Sequence, residues 1–315
     1  MKLHENKTEF EQLVQLASEY KGIPESAIKK DYLICMILER LSQSEYVERC
    51  VFKGGTSLSK CYPGSIERFS EDIDLTYLPG ESEGRKAINR QLKGLEEHLI
   101  GSLSSEPING ERNDKNKSAH VWVEEIGPKE LGIKLEIGAV VRPAPYAMKS
   151  LQTYIQEFLE IQNMGEVISE YELKEFPVNV LDIRRTFIDK LLAIKRHVIC
   201  GTINNKVRHI YDVKKLMEQE EIQSFLQDLS EVKGIVRLTK ETDIVYLEKR
   251  TIPEGYDPTA KFDFDLWREA LTNREIETRY ERLHEDLLYT NEKQKFSEAL
   301  AVFEQISTMF INIDE

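Results

Sequence analysis

Between Glu71 and Leu78 acidic and apolar residues alternate, beginning Glu71-Asp72-Ile73-Asp74-Leu75. A period of two marks a half-buried β-strand, because successive strand side chains point to opposite faces. Asp72 and Asp74 then share one face, and Ile73 and Leu75 the other. Like charges side by side on a sheet face repel. A divalent cation bridging both carboxylates, with phosphate oxygens completing its shell, relieves that repulsion. A solvated strand face that carries two acids is the competing reading, and the pair alone does not choose between them.

The neighbouring segments add to the pair. Upstream, a short apolar strand at 50–52 runs into Gly54-Gly55 and then into a helix that Thr56 and Ser57 can start and Pro63-Gly64 stops. Two glycines let the backbone approach a ligand closely, and N–H groups at a helix start suit a phosphate. A plain tight turn is the alternative. The chain contains no GxxxxGK[ST] loop, and no GxGxxG follows a strand, so neither a P-loop nor a dinucleotide fold is supported. Ser70, two residues before Asp72, shares its strand face and can offer a hydroxyl to phosphate or simply begin the strand. Downstream, Ile133, Leu135 and Ile137 alternate with Lys134, Glu136 and Gly138. If that strand lies beside 71–78, Glu136 adds a third carboxylate for a two-metal site and Lys134 a cation for phosphate.

Residues 7–48 read as helices, with apolar residues at helical spacing over Thr8–Tyr20, a break at Pro24, and a second helix from about Ala27 to Leu41, capped by Ser26, with a stripe of Ile28, Tyr32, Cys35 and Leu38. Further helices are expected at 83–104, 147–162, 183–200, 206–219, 221–230, 265–289 and 295–310. Strands at 119–126 and 131–141 read as a hairpin or two adjacent strands, and 234–262, with Pro253, Gly255 and Pro258, as strand plus loop. The expected fold class is therefore α+β: a mixed sheet core with flanking helices in residues 1–145, and a mainly helical part, 146–315, that completes the active-site cleft. In the helix over 183–200, Phe187, Leu191, Ile194 and Val198 form the apolar stripe. Lys190 lies on another face with Thr186, Ala193 and His197, from which it can reach a triphosphate. In the next helix Arg208, Asp212 and Lys215 share a face, where Arg208 and Asp212 could instead be an exposed ion pair.

The chain of 315 residues carries a net charge of −13, which argues against non-specific coating of nucleic acid. Within it, residues 184–215 hold nine Lys or Arg against Asp189 and Asp212, a local basic run that could follow a phosphate backbone. Cys35, Cys50, Cys61 and Cys200 show no metal-binding spacing and are expected to be reduced thiols. No apolar stretch approaches the roughly 20 residues of a transmembrane helix, and the N-terminus lacks an apolar signal region, so a cytoplasmic protein with no membrane contact is expected.

The segments Phe52-Lys53-Gly54-Gly55-Thr56-Ser57-Leu58-Ser59-Lys60 and Ile66-Glu67-Arg68-Phe69-Ser70-Glu71-Asp72-Ile73-Asp74-Leu75 resemble the DNA polymerase beta-like nucleotidyltransferase superfamily, and more narrowly the AbiEii/AbiGii-type toxin family. In that family a glycine turn precedes an Asp-x-Asp pair. A Lys-x-Asp strand follows, matched by Lys134 and Glu136. An LxxxKxxA helix is approximated around Lys190 and Ala193. A DxxD helix is approximated by His209-Ile210-Tyr211-Asp212, where His209 replaces the first acid. The resemblance runs from about Lys30-Asp31-Tyr32 to Asp212.

It implies a nucleotidyltransferase that uses Mg²⁺ or Mn²⁺ to move a nucleoside monophosphate from an NTP to an acceptor hydroxyl, with the tRNA 3′ end as the RNA acceptor in view. It also implies a toxin with a cognate antitoxin. Asp72, Asp74 and Glu136 would hold metal and act in catalysis with Lys190 and Asp212. Gly54, Gly55, Thr56, Ser57, Ser70, Lys134 and Arg208 would bind the nucleotide. A protein or small-molecule acceptor, as in antibiotic-modifying relatives, and a non-catalytic nucleotide-binding protein are the alternatives.

Overall fold

Asn6 begins the first helix, α1 (Lys7–Lys21), by accepting the backbone N–H of Glu9, and Gly22 ends it at φ 67°, a left-handed geometry that suits glycine. Phe10, Leu13, Val14 and Ala17 fill its buried face at helical spacing. The next helix, α2 (Glu25–Ser42), starts two residues before the expected Ala27, and the N-cap is Pro24 rather than Ser26. Proline lacks an N–H, but a helix start leaves that group unsatisfied anyway, and its extended ψ of 147° turns the chain into the helix. Leu33, Ile34 and Ile37 are buried along with the expected stripe, so α2 is surrounded rather than amphipathic.

The computed structural model describes residues 1–247, 271–289, 292–310 and 313. They fall into two units. The first comprises Met1–Cys61, Phe69–Ala139 and Tyr146–Leu181, the second Tyr62–Arg68, Val140–Pro145 and the described part of Asp182–Glu315. The first includes residues beyond 145, because two strands there hydrogen-bond into the sheet.

In the first unit follow β1 (Cys50–Lys53), α3 (Gly54–Cys61), β2 (Asp72–Tyr77), α4 (Arg85–Ile100), β3 (Ser104–Pro107), β4 (Asn116–Trp122) and β5 (Ile133–Gly138). Then come β6 (Tyr146–Leu151), α5 (Tyr154–Ile161), α6 (Gly165–Glu170) and β7 (Phe176–Leu181). The sheet order is β3-β4-β5-β2-β1-β7-β6. The β2/β5 and β1/β7 pairs are parallel and the others antiparallel, the mixed sheet with flanking helices of an α+β fold.

Three local expectations change. The helix expected over 83–104 ends at Ile100, where Gly101 at φ 53° releases the chain into edge strand β3. The helix expected over 147–162 is a strand and then a short helix, split at Thr153, whose hydroxyl caps α5. Strand β7 was not anticipated in the sequence, since Pro177 interrupts its apolar run.

In the second unit α7 (Ile183–Ile199) is capped by Asp182 and followed by α8 (Val207–Met217), α9 (Glu220–Phe225) and α10 (Leu229–Leu247). Helix α10 replaces the strand expected from 234. Its β-branched residues favour strand locally, yet Val232, Ile235, Val236 and Thr239 recur at helical spacing and are buried. The remainder of that segment, with Pro253, Gly255 and Pro258, and residues 265–270 of the expected helix, lie outside the described residues. Further helices occupy Arg274–Glu281 and Phe296–Phe310. The four cysteines are free thiols. No helix among the described residues is long and apolar enough to cross a membrane.

Candidate active site

Pairing in the first unit places the acidic face as its alternation implies. Asp74 sits across from Lys53 on β1 and from Glu136 on β5, and Asp72 lies across from Lys134. Ile73 and Leu75 are buried on the opposite face, whereas Asp72 and Asp74 are half-exposed. The Asp74 carboxylate makes no hydrogen bond or ion pair with a described residue.

The close approach that two glycines permit is made to this carboxylate. Gly54 has φ 88°, and a Cβ added there would collide with a carboxylate oxygen of Asp74 and come within 3.3 Å of its Cγ. No L-residue fits on both counts. Gly54→Ala is therefore expected to displace Asp74 and to cost about 1–3 kcal/mol of stability. Chemical denaturation checks this, and an unchanged midpoint would mean that the turn relaxes around the methyl group.

The third acid is less available. Lys134 Nζ lies 2.9 Å from Glu136 Oε2 and 2.6 Å from Glu111 Oε2, so Glu136 is engaged by its own strand neighbour. Burial lowers the Lys134 pKa but these hydrogen bonds outweigh it and raise the value. Among the described residues no group of three or more His, Cys, Asp or Glu side chains stands ready to hold a metal. The donor set present fits a cation held by two carboxylates, Asp72 and Asp74, with substrate oxygens supplying the remainder. The cradle that Gly54 leaves around Asp74 is consistent with that arrangement.

Around the pair, Thr56 Oγ1 and Ser70 Oγ are hydrogen-bonded at 3.0 Å, linking the start of α3 to the start of β2. Ser57 is fully buried and turns its hydroxyl back onto the Gly54 carbonyl at 2.9 Å. Gly55 follows Gly54 in the first turn of α3. Lys30, on α2, was not among the residues expected at the site. It pairs with Glu71 and lies 5.6 Å from the centre of the Phe69 ring. Burial lowers its pKa, opposed by the charge of Asp72. The hint in the sequence is Lys30-Asp31-Tyr32, where the family resemblance begins.

In the second unit the structure assembles a buried ionic cluster. Arg68 grips Asp212 with both ends of its fork, Nε to Oδ1 at 2.5 Å and Nη2 to Oδ2 at 2.8 Å, and Lys190 Nζ donates to Oδ2 at 2.6 Å. All three side chains are buried. Burial would push Asp212 up, but the charges of Arg68 and Lys190 prevail and hold it well below the ordinary value of 3.8. Lys190 is lowered by burial, against the pull of Asp212. His209 Nδ1 is 3.7 Å from Asp212 Oδ2, and burial pushes this imidazole down to about 3, so it is neutral.

Two sequence readings change as a result. Asp212 pairs with Arg68 and Lys190 rather than with Arg208, because a buried carboxylate takes the partners that are buried with it. Lys190, placed by its period on a face apart from the apolar stripe, is itself buried against Asp212. Arg68 was missed because its partner lies 144 positions away.

The basic run at 184–215 is also largely neutralised. Arg184 pairs with Asp182 and Glu231, Arg185 with Asp189, Lys214 with Glu218, and Lys215 with Glu67 and Glu218. Most of these acids come from outside the run, so its charge excess does not translate into an equally basic surface.

A family model described as the nucleotidyl transferase AbiEii toxin of type IV toxin–antitoxin systems matches residues 36–302. Among solved structures the chain is similar to MenT4, a nucleotidyltransferase toxin of Mycobacterium tuberculosis H37Rv. The identity is 19% and the TM-score 0.51, over 96% of this chain and 97% of that one. It is also similar to JHP933 of Helicobacter pylori, at 15% identity and a TM-score of 0.40, over 92% and 97% of the two chains. No curated protein matches the sequence. At 19% identity the likeness to MenT4 speaks for the fold alone.

Proposed function

We propose, for a chain that belongs to the AbiEii nucleotidyl transferase toxin family, that Asp72 and Asp74 are the centre of a metal-dependent transfer of a nucleoside monophosphate from an NTP to an acceptor hydroxyl. Family membership makes the chain a nucleotidyltransferase and the toxin of a type IV toxin–antitoxin system, with an NTP as substrate and an antitoxin as partner. The observation that carries the metal-dependent reading is the Asp74 carboxylate lodged against Gly54, where a Cβ has no room.

Asp72 and Asp74 would hold Mg²⁺ or Mn²⁺, and Glu136 would join them when Lys134 leaves it for a phosphate. Such a cation, when bound, neutralises triphosphate charge and favours deprotonation of the attacking hydroxyl. The backbone N–H groups of Gly55 and Thr56 open α3 and suit phosphate oxygens, with the Ser70 hydroxyl beside them. Lys190 and Arg208 would counter charge developing on the leaving pyrophosphate, with Asp212 holding Lys190 in place. The acceptor oxygen bonds to the α-phosphorus, the bond to the β-phosphate bridge breaks, and pyrophosphate departs.

The proposed acceptor is RNA, with the 3′-terminal hydroxyl of tRNA as the group attacked. A protein or small-molecule acceptor is the second reading, favoured by the ion-paired state of the basic run, which weakens any charge-based case for RNA. Incubation with α-labelled NTPs, Mg²⁺ or Mn²⁺, total tRNA and cell protein separates them. Label at the tRNA 3′ end, lost on chelation, is the expected result. Label on protein alone removes the RNA reading, and label nowhere with any NTP overturns the transfer.

A further inference from the structure

The Asp212 cluster has an uneven division of charge. Both carboxylate oxygens are engaged by Arg68, and Lys190 shares Oδ2 with Nη2 of that guanidinium. Asp212 is the acid that Lys190 meets among the described residues, and His209, the other titratable group against it, is neutral. Arg208 lies close enough for its charge to oppose protonation of Lys190. Arg208, the neighbouring cation on α8, is partly exposed.

We infer that Arg68 is a positioning residue for an anion site: by occupying Asp212 bidentately, it leaves Lys190 with a share of one carboxylate instead of a whole one, to be balanced by phosphate oxygens that approach past Arg208. A lysine that owned Asp212 outright would form a neutral buried pair with little attraction for an anion. The planar fork of arginine suits this task, since it spans both carboxylate oxygens in fixed geometry. The inference rests on the nucleotidyltransferase reading only in naming a triphosphate as the anion.

The two partners of one ion pair should then act in opposite directions. Inorganic tripolyphosphate, titrated calorimetrically at neutral pH, is the probe. Arg68→Gln is expected to weaken its binding about tenfold, and Asp212→Asn to tighten it by a similar factor, as one unit charge at close range implies. The double variant Arg68→Gln/Asp212→Asn restores the charge balance and should bind within about threefold of wild type. Should Asp212→Asn fail to fold, the comparison of Arg68→Gln with the double variant still decides.

A purely structural role for Arg68 would weaken binding in both single variants and weaken it further in the double. That pattern, or tripolyphosphate binding that Arg68→Gln leaves unchanged, overturns the inference. Opposite shifts in a protein that transfers no label from any NTP would sustain the anion site and discard the transferase reading instead.

Discussion

Asp72→Ala and Asp74→Ala, made separately, are expected to lower NMP transfer by at least about a thousandfold, the loss of several kcal/mol of charge stabilisation. Growth arrest on induced expression should disappear with it. Neither variant should unfold. Both side chains are half-exposed on the sheet face, and Asp74 has no partner among the described residues to strand. Removing one of two like charges relieves repulsion, so the melting temperature should stay level or rise slightly. The measurements are label transfer, growth after induction and thermal unfolding of each purified variant. Full toxicity in both variants would end the catalytic account of this strand. A collapsed melting temperature would instead mark the pair as structural.

The second large effect is on stability. Asp212→Ala leaves Arg68 and Lys190 buried without their shared carboxylate and is expected to cost about 3–5 kcal/mol at neutral pH. The pH dependence follows from the sign of the shift. Burial raises the Asp212 pKa, but Arg68 and Lys190 more than reverse that, and the folded value lies well below 3.8. A depressed carboxylate stabilises the fold fully above its unfolded value and loses that contribution as pH falls through the folded one. The gap between wild type and Asp212→Ala in urea denaturation should therefore be constant from about pH 7 to 5 and narrow only below about pH 4. A gap already closing at pH 6 would mean that Asp212 is not held as a carboxylate by these cations.

The part of the site legible in the sequence is the part set by local period. Alternation at 71–78 and 131–138 assigns faces, and a strand face is the same face wherever the strand sits in a sheet. Gly54-Gly55 declares a backbone need. The choice of helix or strand at 147–151 and at 234–247 was not legible in this way, because short apolar runs and β-branched residues suit both until packing decides.

The sequence by itself determined that Asp72 and Asp74 share a face, that glycines precede them, and that Lys190 and Asp212 sit on successive helices. Only the tertiary structure decided that Asp74 fills the space a Gly54 side chain would need, that Glu136 stands in register with Asp74 yet is held by Lys134, and that Asp212 belongs to Arg68 and Lys190. The physical reason is the same in each case. Periodicity fixes which way a side chain points, whereas the partner of a buried charge is settled by competition among groups brought together from distant parts of the chain.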